Sequence, residues 1–483
     1  MILQQKNLEI NLVFLLNALF CLFPLSFIFG NLITNINIVL FCFLGVLYLK
    51  SKIYQNELGL PVKIVFLFFL IVLFSTSLSL IESLYIEEFK YYNFEQLIKS
   101  IVFFRFFLML VIIYLLSSLN ILNFKYFCIT VTLVTLAVSL DVIFQFIFGF
   151  NTIGLESYHF YNSGFFGDEL IAGGFIKNFS FFSIFFVAFF FKNKSNVRII
   201  LTTLVICIFG VAILVSGNRM PLILFLFGLF LIFLFNSQLK KMLSLSLLIL
   251  FITFGFLGSL NYKISETYLS YYSVIKEVFE EASGQPQDSS SKIITKEDIE
   301  SERSLDVKKH KWQKFFNKDP QWKEGEIISD DFEFFWVLQY EEKTHLKIYA
   351  TALDTWSQNK IFGNGIKSFR QDCKKFLLHK TNRLCSNHPH NYYLEILTDT
   401  GIVGILSAII IGLLFIIFIL QNFKSLNANN LQNLILFAAT ISFILEAFPL
   451  KSTGSIFSTN NATYLILISS IIVSYKKILK IKF

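Results

Sequence analysis

The run His388-Pro389-His390-Asn391 stands where a long polar stretch ends and a long apolar one begins. A histidine held at such a boundary can take a proton from a hydroxyl, the work of a general base. Pro389 stops a helix from entering from the N-terminal side, because it lacks an N–H and disfavours helical dihedrals at the residue before it. Asn391 is the expected N-cap, and a helix is expected to run inward from Tyr392. At a helix start the macrodipole favours neutral imidazole, the form that accepts a proton. His390 is therefore the candidate base, with Asn391 capping the helix, orienting the histidine, or both.

A base alone does not transfer anything; a leaving group must also be stabilised. Arg219 follows an otherwise uncharged apolar window and precedes another, separated from the first only by Ser216-Gly217-Asn218. A charge that close to hydrocarbon is costly unless it is paired or lines a wet cavity, and its planar fork suits phosphate oxygens. The plainer reading is an arginine snorkelling to the interface. Arg105, within Phe103-Phe104-Arg105-Phe106-Phe107, and Lys177 pose the same choice, each near one end of its apolar window. Asp141 and Gln145, one turn apart, read as a buried polar contact.

Cys373, His379, Cys385, His388 and His390 lie within eighteen residues, which invites zinc. The spacing fits no standard finger. In an oxidising compartment a Cys373–Cys385 disulfide is expected instead, closing a short loop just before the histidine turn. Cys21, Cys42, Cys128 and Cys207 lie in apolar windows and read as packing residues. Gly401 and Gly404 read as a close-packing face of the entering helix.

The elements that must position these groups are membrane helices. The chain has 483 residues, 55% of them apolar, with 61 Phe and only 15% charged. Apolar windows of spanning length occur near 10–29, 32–49, 62–81, 101–118, 127–149, 171–191, 199–216, 221–236, 244–260, 401–420, 431–448 and 459–475. The expected fold is an all-α polytopic membrane protein of about twelve transmembrane helices with one large, mainly helical loop domain. The net charge of +8 lies in short loops and makes no nucleic-acid patch.

Alternating spans put Lys50, Lys125, Lys192, Lys194, Lys240 and Lys241 on one side, and Glu82, Glu156, Asp168 and Glu169 on the other. The positive-inside rule then makes both termini cytoplasmic and the loop extracytoplasmic. Three parts are expected: a bundle over 1–261, a loop domain over 262–398 carrying the histidine motif, and C-terminal spans over 399–483. Within the loop, 283–310 is linker-like.

His390-Asn391, nine residues, then Gly401-Ile402-Val403-Gly404 resembles the signature of the O-antigen ligase family. Ser216-Gly217-Asn218-Arg219 and Ile361-Phe362-Gly363-Asn364-Gly365 resemble that family's arginine turn and the segment ahead of its histidine. The family's usual second arginine, early in the helix before the Gly-x-Gly turn, is absent here; His345 or Lys347 stands in its neighbourhood.

The resemblance implies a fold of membrane helices and an inverting glycan transfer on the outer face of the bacterial inner membrane. The donor it implies is a glycan on undecaprenyl diphosphate, and the acceptor is usually a lipid A core sugar. No metal, nucleotide or other cofactor is implied. The implied roles are His390 as base, Arg219 as the catalytic cation, and Asn391, His345, Lys347 and Arg105 as substrate contacts. Related readings are an O-antigen or capsule polymerase and a protein O-oligosaccharyltransferase. A polysaccharide transporter is the alternative of another class, although the polar groups gather at one face and not at the midplane.

Overall fold

The structure, a computed structural model, describes residues 2–50, 53, 57–83, 90–157, 161–261, 264–265, 268, 344–374, 383–426, 430–452 and 454–474. The linker-like stretch 283–310 and His379 lie outside these. The chain divides into two compact units, Met1–Tyr268 with Lys347–Phe483, and Leu269–Leu346. Of the second unit, residues 344–346 are described, as the opening of a helix.

Among the described residues the elements are helices, one short 3-10 turn and one isolated bridge between Phe150 and Glu156. In chain order they are α1 (Ile2–Ile28), α2 (Asn31–Leu49), α3 (Leu60–Ser83), α4 (Lys90–Ser118), α5 (Phe124–Phe148), α6 (Ala172–Phe190), α7 (Ser195–Val215), α8 (Arg219–Phe235), α9 (Lys240–Leu260), α10 (Thr344–Gln358), α11 (Phe369–Asp372), α12 (Tyr392–Leu426), α13 (Leu431–Glu446) and α14 (Thr459–Val473). Nine are long and apolar enough to cross a membrane, and α8, α13 and α14 are shorter apolar helices. Each of the twelve apolar windows is one helix. This is an all-α, multi-pass membrane protein.

Local chemistry sets the helix ends. Asn123 accepts hydrogen bonds from the amides of Lys125 and Tyr126 to start α5, and Gly149 closes it in the left-handed region. Asn430 and Ser458 cap α13 and α14 in the same way. The start of α4 lies well before the expected 101, because the polar run from Lys90 to Lys99 continues the helix. Arg105 is consequently mid-helix and not near an end, a correction to the sequence reading.

The central pillar is α6, most of which is buried. Phe179, Phe181, Phe182 and Phe185 are fully enclosed, and tilted or edge-on rings from α5, α8, α13 and α14 meet them. Apolar stretches without polar stripes lack a preferred aqueous face, so van der Waals packing and small residues decide the helix contacts. Hydrogen bonds between connections fix which of them share an end. Asn162 reaches the carbonyl of Val215, Asn218 that of Leu170, and Asn391 that of Pro449. One end thus holds the connections at 149–171, 216–218 and 447–458 together with the His390 turn.

Candidate active site

The site is built on a broken helix. Within α12, Gly401 has φ 63° and ψ −160°, a conformation essentially restricted to glycine. The break strands backbone groups that a continuous helix would pair, and a buried unpaired group is costly. A loop after α10 satisfies them. The amides of Asn364 and Gly365 donate to the carbonyls of Thr398 (3.0 Å) and Asp399 (2.9 Å), and those of Ile402 and Val403 donate to Lys360 (2.9 Å) and Ile361 (3.2 Å). Contact is so close that a Cβ on Gly401 would lie 2.3 Å from the carbonyl oxygen of Ile361, and one on Gly363 2.4 Å from the Thr400 nitrogen. Gly401 is therefore a docking point for a loop, not part of the helix-packing face the sequence suggests. Gly404 packs back onto Thr400 of its own helix.

Asp399 locks this junction. Its carboxylate accepts from the Lys367 amide (2.6 Å) and the Ser368 hydroxyl (3.1 Å), while its carbonyl accepts from Ser75 of α3 (2.6 Å). Thr76 accepts from the Ile366 amide at 3.1 Å. The Gly-Asn-Gly loop is thereby pinned between α3 and α12.

His390 lies just ahead of α12 with φ 55°, in the left-handed region that costs a non-glycine residue about 1 kcal/mol or more. Asn391 is the N-cap, accepting from the amides of Tyr393 (3.0 Å) and Leu394 (3.2 Å). Its amide group donates to the carbonyl of Pro449 at 2.7 Å, so it both caps the helix and ties the turn to the α13–α14 connection. His390 is half-buried behind buried Pro389. Its Nε2 is 3.1 Å from the Ser386 hydroxyl, and its ring lies tilted by 45° against that of His388, the centroids 4.2 Å apart. Ser386 follows Cys385, which a disulfide joins to Cys373. That bond leaves neither thiolate to a metal. Ile348, Ala352, Phe369 and Cys373 form a small core that Leu384, Cys385 and Leu394 join, so the segment before the histidine is packed onto the first turn of α12.

The first turns of α12 also hold the α13–α14 connection. Glu395, 2% exposed, accepts from the Ser455 hydroxyl (2.5 Å) and the Ile456 amide (2.7 Å). The hydroxyl of Tyr393 donates to the carbonyl of Ala447 at 2.5 Å. Tyr392 donates to Glu446 at 2.7 Å, and Glu446 lies between two lysines, Lys177 of α6 at 2.9 Å and Lys451 at 2.5 Å. Lys177 does not snorkel; it is paired and buried.

Arg219 is the first residue of α8 and half-buried, and its Nε is enclosed without a hydrogen-bond partner among the described residues. The turn before it is anchored by Asn218, which accepts from the Gly173 amide (3.0 Å) and donates to the Leu170 carbonyl (3.0 Å). Gly173 and Lys177 are one helical turn apart on α6, about 6 Å along its axis. The arginine turn and the histidine turn thus hang from successive turns of one helix end.

Of the other expected contacts, Arg105 does not gather there. Arg105 lines an apolar cleft of about 460 Å³ with Phe104, Phe107, Leu108, Val111, Ile53 and Leu58, the last two from the α2–α3 connection at the opposite end. Its Nη1 donates to the Val102 carbonyl (2.9 Å) and its guanidinium lies 4.3 Å from the Phe106 ring centre. His345 and Lys347 occupy the opening turns of α10, the far end of that helix from the Gly-Asn-Gly loop. Asp141 and Gln145 brace the 150–170 connection through Thr152 and Gly164, as the plainer reading expects.

Sequence reading missed Ser386, Glu395, Asp399, Glu446 and Lys451. Acids at 395 and 399 at the mouth of an apolar run carried a signal, since a charge there must be satisfied by something. Also unforeseen is a basic group around the Gly-Asn-Gly loop. Burial pulls the Lys367 ammonium below the usual lysine value, and the neighbouring Arg370 adds to that pull.

No curated protein matches the chain. Residues 202–409 match the family model described as O-Antigen ligase. That stretch runs from α7 through Arg219 and His390 to the break in α12. Residues 202–409 of this multi-pass membrane protein, from α7 to the broken helix of the site, are thus similar to the O-antigen ligase family.

Proposed function

We propose that the protein transfers a glycan from undecaprenyl diphosphate to a sugar hydroxyl, in the usual case on lipid A core, at the outer face of the bacterial inner membrane. The observation carrying this reading is His390, a histidine kept in a left-handed conformation by a proline, a capping asparagine and a serine contact. Strain of that kind persists only where its surroundings over-determine it, and it gathers at functional sites.

The acceptor hydroxyl loses its proton to His390 as its oxygen attacks the anomeric carbon of the donor. The bond from that carbon to the diphosphate oxygen breaks with inversion, and the electron pair leaves on the lipid diphosphate. That group needs charge stabilisation and not protonation, which suits Arg219, whose Nε has no partner among the described residues. Ser386 holds the Nε2 edge of the ring, and in the tautomer whose Nε2–H donates to that hydroxyl the basic nitrogen is Nδ1. Asn391 orients the turn. His345 and Lys347 are proposed to meet the substrates from α10, and Arg105 is not included.

The test is complementation of a strain lacking its own O-antigen ligase, read as a lipopolysaccharide ladder on a gel. Wild type is expected to restore the ladder, and His390→Ala and Arg219→Ala to reach the membrane without restoring it. A full ladder from both variants would overturn the assignment. Lengthening of the lipid-linked pool in place of a ladder would indicate a polymerase.

A further inference from the structure

Glu446, Lys177 and Lys451 form a buried cluster of three charges at the site end of the bundle. Their relative exposures are 3%, 4% and 9%. One carboxylate is shared by two ammonium groups, at 2.9 Å and 2.5 Å. The remaining partner of the carboxylate is the neutral Tyr392 hydroxyl, at 2.7 Å. Among the described residues the charges acting on Lys451 are Glu446, which attracts it, and Lys177, which repels it. The other buried acid nearby, Glu395, spends both oxygens on Ser455 and the Ile456 amide. Among the described residues the cluster therefore carries one positive charge with no counter-charge.

Burying an unbalanced charge is expensive, and a purely structural brace would have no reason to include it. Its location suggests what balances it. Lys451 belongs to the α13–α14 connection and not to a helix interior, and its ammonium lies 5.0 Å from the Tyr392 ring centre. Two residues earlier, the Pro449 carbonyl holds Asn391 beside His390. Four residues before Lys177, Gly173 anchors the Arg219 turn. The surplus cation is thus tied through Pro449 and Asn391 to the turn of the candidate base, and through Glu446, Lys177 and Gly173 to the turn of the candidate leaving-group cation. The opening turns of α10 supply no arginine there.

We infer that Lys451, backed by Lys177 and Glu446, is a second phosphate-binding cation of this site, completing its charge balance when the diphosphate head of a lipid-linked donor binds. This inference rests on the lipid-diphosphate reading of the site. A diphosphate carries more charge than one arginine neutralises, and a second cation held by a shared carboxylate is pre-positioned without a side-chain ordering cost at binding. Lys451 binds the head group and takes no proton from the acceptor.

The experiment uses the purified full-length protein in detergent and titrates farnesyl diphosphate, a short lipid diphosphate, by calorimetry. Wild type is expected to bind. Lys451→Met is expected to weaken binding about tenfold, while Lys451→Arg keeps it within about threefold, since both cations hold phosphate. The melting temperature of ligand-free Lys451→Met separates this from a brace, because that variant leaves one lysine on one carboxylate. It is expected to melt at or above the wild-type temperature. A lower melting temperature with unchanged affinity would overturn the inference. Binding that is lost in Arg219→Ala but intact in Lys451→Met would sink Lys451 alone. No binding even by wild type would overturn the lipid-diphosphate reading with it. Equal displacement by phosphatidylglycerol would assign the cation to bilayer lipid, against the inference.

Discussion

At the scale of the residue, the chemistry of His390 depends on a small circle of partners. Ser386 engages Nε2, Asn391 fixes the turn, and the preceding Pro389 is buried. Replacing His390 by Ala is expected to lower kcat by roughly 10²–10⁴-fold, the range for a lost general base, with donor binding retained. Single-turnover kinetics on lipid-linked donor would check the split, and a matched loss of donor affinity would speak against a base. Ser386→Ala is expected to cost roughly tenfold in kcat, the equivalent of one hydrogen bond worth about 1.4 kcal/mol. Lys451 supplies the pH dependence. Burial pulls its ammonium down from 10.5 to about 8, against the opposing pull of Glu446, with Lys177 adding to the fall. The protonated form holds the anion, so donor affinity is full below that value and is lost as pH rises through about 8. The groups facing it are Glu446, Lys177 and the Tyr392 ring. Lys451→Arg stays charged, so its donor KM is expected to be flat from pH 7 to 9 where that of the wild type rises.

At the scale of the element, the decisive feature is the interruption of α12. Four backbone hydrogen bonds cross the break, and a methyl group on Gly401 would strike the carbonyl of Ile361. Gly401→Ala combines a glycine-only conformation with displacement of the loop, and a destabilisation of about 3 kcal/mol or more is expected. Thermal unfolding in detergent would measure it; an unchanged midpoint would mean that the loop does not dock there. The disulfide acts on the same segment from the other side. It closes a loop with a sequence separation of 12, for which chain entropy alone gives about 3 kcal/mol. Because that loop delivers Ser386 to His390, the Cys373→Ser, Cys385→Ser pair is expected to lose activity before it loses membrane insertion.

At the scale of the whole molecule, the bundle brings its chemistry to one end and six lysines of its short connections to the other. Lys50, Lys125, Lys192, Lys194, Lys240 and Lys241 all lie on connections or helix ends opposite the His390 turn. By the positive-inside rule the site is expected to face outward. Cysteines introduced at Asp168 and at Lys241 are expected to react with a membrane-impermeant thiol reagent from opposite faces, the former from outside in intact spheroplasts. Labelling of both from the same face would overturn the topology.

Much of this organisation was legible in the sequence. The twelve apolar windows correspond one to one with helices, because hydropathy acts locally and lipid permits little besides helix. The N-cap at Asn391, the stop at Pro389 and the Cys373–Cys385 pair followed from short-range rules of the same kind. What depends on distant partners did not show. An apolar window marks hydrocarbon and not helix, so α4 was read too short and Arg105 was set near an end. Gly401 read as helix packing because its unusual dihedrals exist only once residues 359–365 arrive to satisfy the break. The cluster of Lys177, Glu446 and Lys451 joins residues up to 274 positions apart, and no spacing rule connects them. Local physics, hydropathy and capping, settled the elements and marked the candidate base; only tertiary structure, by closing long-range contacts that a buried charge or a stranded amide requires, decided which residues surround it.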